Sequence, residues 1–489
     1  MKAGAGGVAQ ASRLCADNQP PHSKQSTGTP RQPMPTAPTF PPHFVWGVAS
    51  SSYQIEGAAH EDGRADSIWD TFCRKEGNTW QSQSGDTACD HYHRYTEDVS
   101  LIKQIGARAY RLSIAWPRVI PQGTGAINPK GLDFYSRLID ELLKSNITPY
   151  VTLFHWDYPQ SLFHRGNWLA RESADWFGDY VAVVTDALSD RVQNWMTLNE
   201  PQVFIKFGHG DGHNAPGLKL PLADQLTIAH HVLLAHGKAV QTIRARAKTK
   251  PHVGWAPVCV VKYPQSTSPA DIEAACQLTC GVTQPDLWNN TWFNDPIFKG
   301  RYPEDGLKLY GSAVPRFDPK DLATINQPLD FLGLNIYEGQ PVRATPTGPA
   351  NCDRPIGHAL TAFRWPVEPE SLYWGPRFMH ERYNIPIYIT ENGLSNTDWV
   401  SLDGKVHDPQ RIDFTQRYLQ ALRRASHDGA DIRGYFHWSL MDNFEWASGY
   451  KERFGLVFVD YPTQKRILKD SAHWYHKVIE SNGATLNIG

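Results

Sequence analysis

Asn194-Trp195-Met196-Thr197-Leu198-Asn199-Glu200-Pro201 is a short run rich in apolar and β-branched residues that ends on a carboxylate. It reads as a buried strand meeting a polar mouth. Working outward from it, similar runs recur at intervals of about 40 to 80 residues: Phe44–Ser52, Ala109–Trp116, Thr148–His155, Val253–Val260, Phe331–Tyr337, Ile385–Glu391 and Gly434–Leu440. The segments Tyr95–Ile105, Leu132–Lys144, Trp176–Leu188, Leu226–Ile243 and Ile412–Ser426 lie between them and place apolar residues at helical i, i+3, i+4, i+7 spacing. Eight strands alternating with helices predict an α/β fold, a (β/α)8 TIM barrel with extended βα loops, forming a single domain over residues 40–489. A doubly wound sheet could also use eight strands, but no G-x-G-x-x-G follows the first run.

Composition narrows the function. Lys+Arg 48 against Asp+Glu 50 gives a net charge of -2, which leaves no broad basic footprint for a phosphate backbone, so no nucleic-acid partner is expected. No run approaches the roughly 18 consecutive apolar residues of a membrane span. Aromatic content is high, with 17 Trp beside 20 Tyr and 20 Phe. A buried indole N–H needs a partner, so some of these rings are expected to face a ligand. The 7 cysteines are an odd number without a C-x-x-C pair, which suggests neither a disulfide framework nor a zinc ribbon and points to a reducing, cytoplasmic location. Cys89-Asp90-His91-Tyr92-His93 crowds metal-binding residue types together, but it matches no zinc spacing and no i, i+4 pair, so no metal is expected there. Residues 1–39 are rich in Gly, Pro, Ser, Thr and Gln and lack an apolar signal-peptide stretch, so they read as a disordered leader.

His155, Glu200, Tyr337, Glu391 and Trp438 all fall at or near the carboxyl ends of the predicted strands. In a barrel those ends converge on the active-site face. Glu200 and Glu391 close the fourth and seventh runs, where a carboxylate beside apolar sequence is costly unless it is paired or has a task. Two carboxylates facing one mouth can approach within the about 5 to 5.5 Å that a double displacement at a sugar carbon needs.

From Phe44 to about Tyr475 the chain resembles the β-glucosidases of glycoside hydrolase family 1. The resemblance rests on Phe44-Val45-Trp46-Gly47-Val48-Ala49-Ser50-Ser51-Ser52-Tyr53-Gln54-Ile55-Glu56-Gly57, Arg111-Leu112-Ser113-Ile114-Ala115-Trp116 and His155-Trp156-Asp157. It rests also on Thr197-Leu198-Asn199-Glu200-Pro201, Ile389-Thr390-Glu391-Asn392-Gly393 and His437-Trp438-Ser439-Leu440-Met441-Asp442-Asn443-Phe444-Glu445-Trp446. It implies a retaining β-glucosidase in which Glu391 is the nucleophile, tuned by Arg111 and Tyr337, and Glu200 is the acid/base. It further implies that Gln54, His155, Trp156, Asn199, Asn335, Tyr337, Glu445, Trp446 and Phe454 hold the substrate, with Trp438 beneath the sugar ring. The expected partner is a small-molecule β-glucoside. No cofactor is implied, and oligomeric state carries no signal.

The stretch Asn335-Ile336-Tyr337 continues as Glu338-Gly339 and lacks the family's usual central aromatic. Residues 341–370 match nothing strongly and read as a loop shaping the leaving-group side. The rivals are a 6-phospho-β-glycosidase and a catalytically silent sugar-binding relative. Retention of both Glu200 and Glu391 argues against the second, and Glu445, whose carboxylate would repel a 6-phosphate, argues against the first.

Overall fold

The computed structural model describes residues 38–487. The predicted leader therefore lies, through residue 37, outside the described residues. Pro38 and Thr39, also assigned to the leader, are tied to the body. Arg423 Nη1 donates to Pro38 O at 2.7 Å and to Gly483 O at 2.8 Å, and His427 Nε2 donates to Thr39 O at 2.9 Å.

Eight parallel strands close into one barrel: β1 (Val45–Ala49), β2 (Ala109–Ser113), β3 (Thr148–Thr152), β4 (Asn194–Asn199), β5 (His252–Ala256), β6 (Phe331–Asn335), β7 (Ile387–Asn392) and β8 (Ile432–Trp438). Each strand pairs with its sequence neighbour, and β8 returns to β1 with Ala49 opposite Trp438. Small and large side chains alternate inside the barrel, so that Ala49 and Ala109 make room for Tyr150, Tyr388 and Phe436. Gly47 belongs to the same fit, since a Cβ there would stand 2.4 Å from Phe436 Cδ1.

Helices cover the outside of the barrel. Pro129–Lys144 shows why they form: Pro129 pre-sets the first turn, and Phe134, Tyr135, Leu138, Ile139 and Leu142 fall on one buried face. Full burial of one such side chain stabilises by about 1.5–3 kcal/mol. The helical periods read from sequence lie within His91–Ile105, Pro129–Lys144, Ser173–Leu188, Leu222–Arg246 and Pro409–His427.

Three departures from the sequence reading matter for the site. The helix Ser371–Tyr383 carries Pro376 in its interior, which hides its period. Four short helices between β5 and β6, Pro269–Cys280, Thr291–Lys299, Glu304–Tyr310 and Pro319–Ile325, also escaped. Residues 341–370, read as loop, contribute to a small sheet in which Val261–Pro264 pairs with Gly339–Thr345, which in turn pairs with Gly348–Asn351. That sheet stands on the carboxyl-end loops of β5 and β6, above the barrel mouth. Among the described residues no helix is long and apolar enough to cross a membrane.

Candidate active site

Arg111 on β2 is the hub of the barrel's upper layer. Its guanidinium is buried and donates to Glu391 Oε1 at 2.5 Å, Thr390 O at 3.1 Å, Asn199 Oδ1 at 2.6 Å and Thr152 Oγ1 at 3.2 Å. One side chain thereby fixes β3, β4 and β7 relative to β2. Tyr337 donates its hydroxyl to Glu391 Oε2 at 2.7 Å, so both oxygens of Glu391 are held.

Glu200 is presented differently. It adopts a left-handed conformation, φ 46 and ψ 64, between the end of β4 and the helix turn Pro201–Ile205. Such backbone costs about 1–3 kcal/mol outside glycine. The bond from Glu200 N–H to Ala256 O at 2.9 Å pins it there. Its Oε1 accepts from Asn335 Nδ2 at 2.9 Å, and the same amide group reaches Asn199 Oδ1 at 3.0 Å. Thr390 Oγ1 donates to Asn335 Oδ1 at 2.6 Å and sets which way that amide faces.

The two carboxyls are thereby pushed apart electrostatically. Burial, and then the charge of Glu391, push Glu200 well above the usual carboxyl range, against the Asn335 hydrogen bond and the more distant Arg111. Burial also raises Glu391, but the charge and hydrogen bond of Arg111 and the Tyr337 hydroxyl oppose it directly. Glu391 is therefore the member of the pair that ionises first, and Glu200 the one that keeps its proton.

A cavity of about 660 Å³ opens over this pair. Among the residues expected from sequence, His155, Trp156, Glu200, Asn335, Tyr337 and Glu391 line it, as do Trp438, Glu445, Trp446 and Phe454. Gln54, Asn199 and Arg111 are each bonded to one of these lining residues, Glu445, His155 and Glu391 respectively. Gln54 Oε1 accepts from Ser51 Oγ at 2.7 Å, while its Nε2 donates to Asn443 Oδ1, Phe444 O and Glu445 Oε2 at 3.0, 3.0 and 3.3 Å. Asn199 Oδ1 already takes two donors, so its Nδ2 must donate to His155 Nε2, 3.0 Å away. His155 is thus fixed with its proton on Nδ1, and burial and Arg111 keep its pKa well below the ordinary value. Its ring lies nearly parallel to Trp438 and Trp446, at centroid distances of 5.8 and 6.0 Å. Glu445 is half-buried, and burial and the charge of Glu391 push it up to about 8.

The profile of glycosyl hydrolase family 1 matches residues 36–484. The chain belongs to glycosyl hydrolase family 1. It is a glycoside hydrolase, and its relatives are named for β-glucosidase activity. It is 46% identical over 450 residues to a 1,4-beta-D-glucan glucohydrolase of Thermotoga neapolitana, covering 91% of this chain and 99% of that one. It is 41% identical to a bifunctional beta-D-glucosidase/beta-D-fucosidase of Bifidobacterium breve, again covering 91% and 99%. The solved structure of a beta-glucosidase from Thermotoga maritima in complex with glucoimidazole superposes with a TM-score of 0.84 at 43% identity, covering 91% of this chain and 99% of that chain.

This family 1 hydrolase supports its sugar-side loop through a buried ion cluster that no sequence pattern marked. Lys469 Nζ donates to Asp442 Oδ1 at 2.7 Å and Asp398 Oδ2 at 2.6 Å; Arg453 Nη1 donates to Asp442 Oδ2 at 2.6 Å. Arg411 Nη2 joins Asp398 at 2.5 Å and reaches Arg453 O at 2.9 Å. The cluster brackets the loop that carries Glu445, Trp446 and Phe454. By contrast, Cys89, His91 and His93 point apart. Cys89 Sγ donates to Asp442 O, His91 pairs with Asp98, and His93 lies between Asp90 and Glu61. The sequence reading also missed Val203, Phe207, Lys262, Trp288 and Arg354 in the cavity wall. Val203 and Phe207 lie four residues apart on the helical turns after β4, Lys262 and Trp288 lie in the connection between β5 and β6, and Arg354 lies in the one after β6.

Proposed function

We propose that this β-glucosidase releases terminal non-reducing β-D-glucosyl residues by double displacement. Its substrates on this reading are cellobiose, short oligosaccharides and aryl or alkyl β-glucosides, with some action on β-galactosides and β-fucosides. The observation that carries the roles is the unequal environment of two carboxyls opening on one cavity: Glu391 is clamped by Arg111 and Tyr337, whereas Glu200 holds a single neutral donor, Asn335. In the first step a Glu391 oxygen attacks the anomeric carbon while the glycosidic C–O bond breaks and the leaving oxygen takes the Glu200 proton. Esterification removes the Glu391 charge that had raised Glu200, so Glu200 can now accept a proton from water. The water oxygen then bonds to the anomeric carbon, Glu391 leaves as carboxylate, and the β configuration returns.

The B. breve relative, named for both activities, supports the fucoside action. A 6-phosphate on the sugar is disfavoured, because Lys451, the nearest cation downstream of Glu445, is engaged with Glu452 and lies over the Trp80 ring.

Azide rescue tests the roles. Glu391→Ala should lose turnover and, with azide, yield the α-glycosyl azide. Glu200→Ala should still cleave a dinitrophenyl glucoside in a burst and yield the β-azide. The opposite stereochemistry would exchange the two residues, and α-glucose as first product of the unaltered enzyme would exclude retention.

A further inference from the structure

Above the carboxylate pair the cavity wall changes character. Phe207 and Trp288 line it with rings 5.3 Å apart, and Phe363 and Trp365 line it as a stacked pair at 4.6 Å. Beside these rings stands Lys262, on the strand Val261–Pro264 of the small sheet, in register with Gln340, which also lines the cavity. Its backbone is clamped: Lys262 N–H donates to Thr279 Oγ1 and Thr279 Oγ1 donates to Lys262 O, both at 3.0 Å.

The side chain is half-buried, and its ammonium has neither ion pair nor hydrogen bond among the described residues. The neighbouring charges do not satisfy it. Arg354 spends Nε on Glu368 Oε1 at 2.7 Å and Nη2 on Gly339 O at 2.6 Å. Glu368 accepts the Tyr263 hydroxyl as well. Glu338, exposed at the same end, acts on Lys262 through its charge but makes no ion pair or hydrogen bond with it among the described residues. A half-buried cation beside two aromatic pairs is matched by a flat ring bearing an anion.

We infer that the outer end of the cavity selects β-glucosides whose aromatic aglycone carries a carboxylate, with Lys262 as the group that binds it. The inference rests on the β-glucosidase reading above. The aglycone ring lies among the aromatic side chains, its glycosidic oxygen faces Glu200, and the carboxylate at the far end of the ring meets the Lys262 ammonium.

The test compares kcat/KM for the β-D-glucosides of 4-hydroxybenzoic, 4-hydroxyphenylacetic and 4-hydroxycinnamic acid with that for each methyl ester. The series varies the reach of the carboxylate. The measured quantity is the acid-to-ester ratio, in which the amount of active enzyme and any general loss of activity cancel. For at least one acid the ratio should fall about tenfold in Lys262→Met and be retained in Lys262→Arg. Ratios within about twofold of the unaltered enzyme for all three acids in Lys262→Met, or an equal fall in Lys262→Arg, would overturn the inference. If the unaltered enzyme cleaves no ester at all, the β-glucosidase reading itself fails.

Discussion

The floor and the mouth of the barrel are held by opposite means. At the floor, Arg111, Asn199, Asn335 and Glu391 are buried and spend their polar atoms on one another, so removing any one strands a charge or an amide in a low-dielectric site. At the mouth, Phe207, Trp288, Lys262 and Arg354 are half-buried and come from the connections after β4, β5 and β6, outside the barrel strands. The floor is thus a closed set of bonds in which each substitution disturbs its neighbours, whereas the side chains of the mouth can change one at a time.

That contrast can be broken by experiment. After the loss of turnover in Glu391→Ala, the largest effect is expected from Glu200→Ala, which should cost ordinary glycosides about 10²–10⁴-fold in kcat/KM while sparing substrates whose leaving group needs no proton. It should also remove the alkaline limb of the pH–rate profile, because activity in the unaltered enzyme falls as pH rises through the raised pKa of Glu200. Next comes Arg111→Met. Breaking a buried pair costs about 3–5 kcal/mol, visible in thermal unfolding. The loss of its charge should raise Glu391 further, so the acid limb, where protonation of Glu391 stops attack, moves to higher pH.

Tyr337→Phe should do the same more gently. A hydrogen bond to a charged group is worth about 1.5–3 kcal/mol, so kcat/KM should fall about 10- to 150-fold with a smaller upward move of the acid limb. A profile superimposable on the unaltered enzyme would show that the floor is less tightly coupled than its geometry implies. The smallest effect belongs to the mouth. Trp288→Ala should lower kcat/KM for aryl glucosides about 2- to 12-fold, the worth of one aromatic contact, and leave both pH limbs in place. A shift of either limb in that variant would erase the distinction between the two regions.

The fold was legible because burial alternates with the barrel, and its errors have the same source. The runs Ala109–Trp116 and Thr148–His155 extend beyond Ser113 and Thr152, where the strands end, because Ile114, Ala115, Leu153 and Phe154 stay buried, and Ile114 N–H still donates to Thr152 O at 3.0 Å and Leu153 N–H to Met196 O at 2.8 Å. Apolar sequence reports burial, which continues past the last regular residue of each strand. The helix Ser371–Tyr383 was hidden by Gly375-Pro376, and the small sheet by prolines at 341 and 349 within its short strands. At the site, the lining residues near the strand ends were legible through ordered motifs. Gln54 and Asn199 were marked by the same motifs, but their bonds to Glu445 and His155 were not, because a motif identifies a residue without saying which neighbours its polar atoms meet. Lys262 and Trp288 carry no such mark, since tertiary proximity alone joins them to Glu200.

Arg423 binds the carbonyls of Pro38 and Gly483 with one nitrogen, so the two edges of the described chain sit side by side on the outer wall. A chain cut back to residues 38–487, with those edges joined by a short glycine–serine linker and opened in the exposed turn at residues 265–268, would start in the connection between β5 and β6. Such a permuted protein would make Glu391 early and Glu200 late, reversing their order of synthesis while preserving the same eight-strand closure.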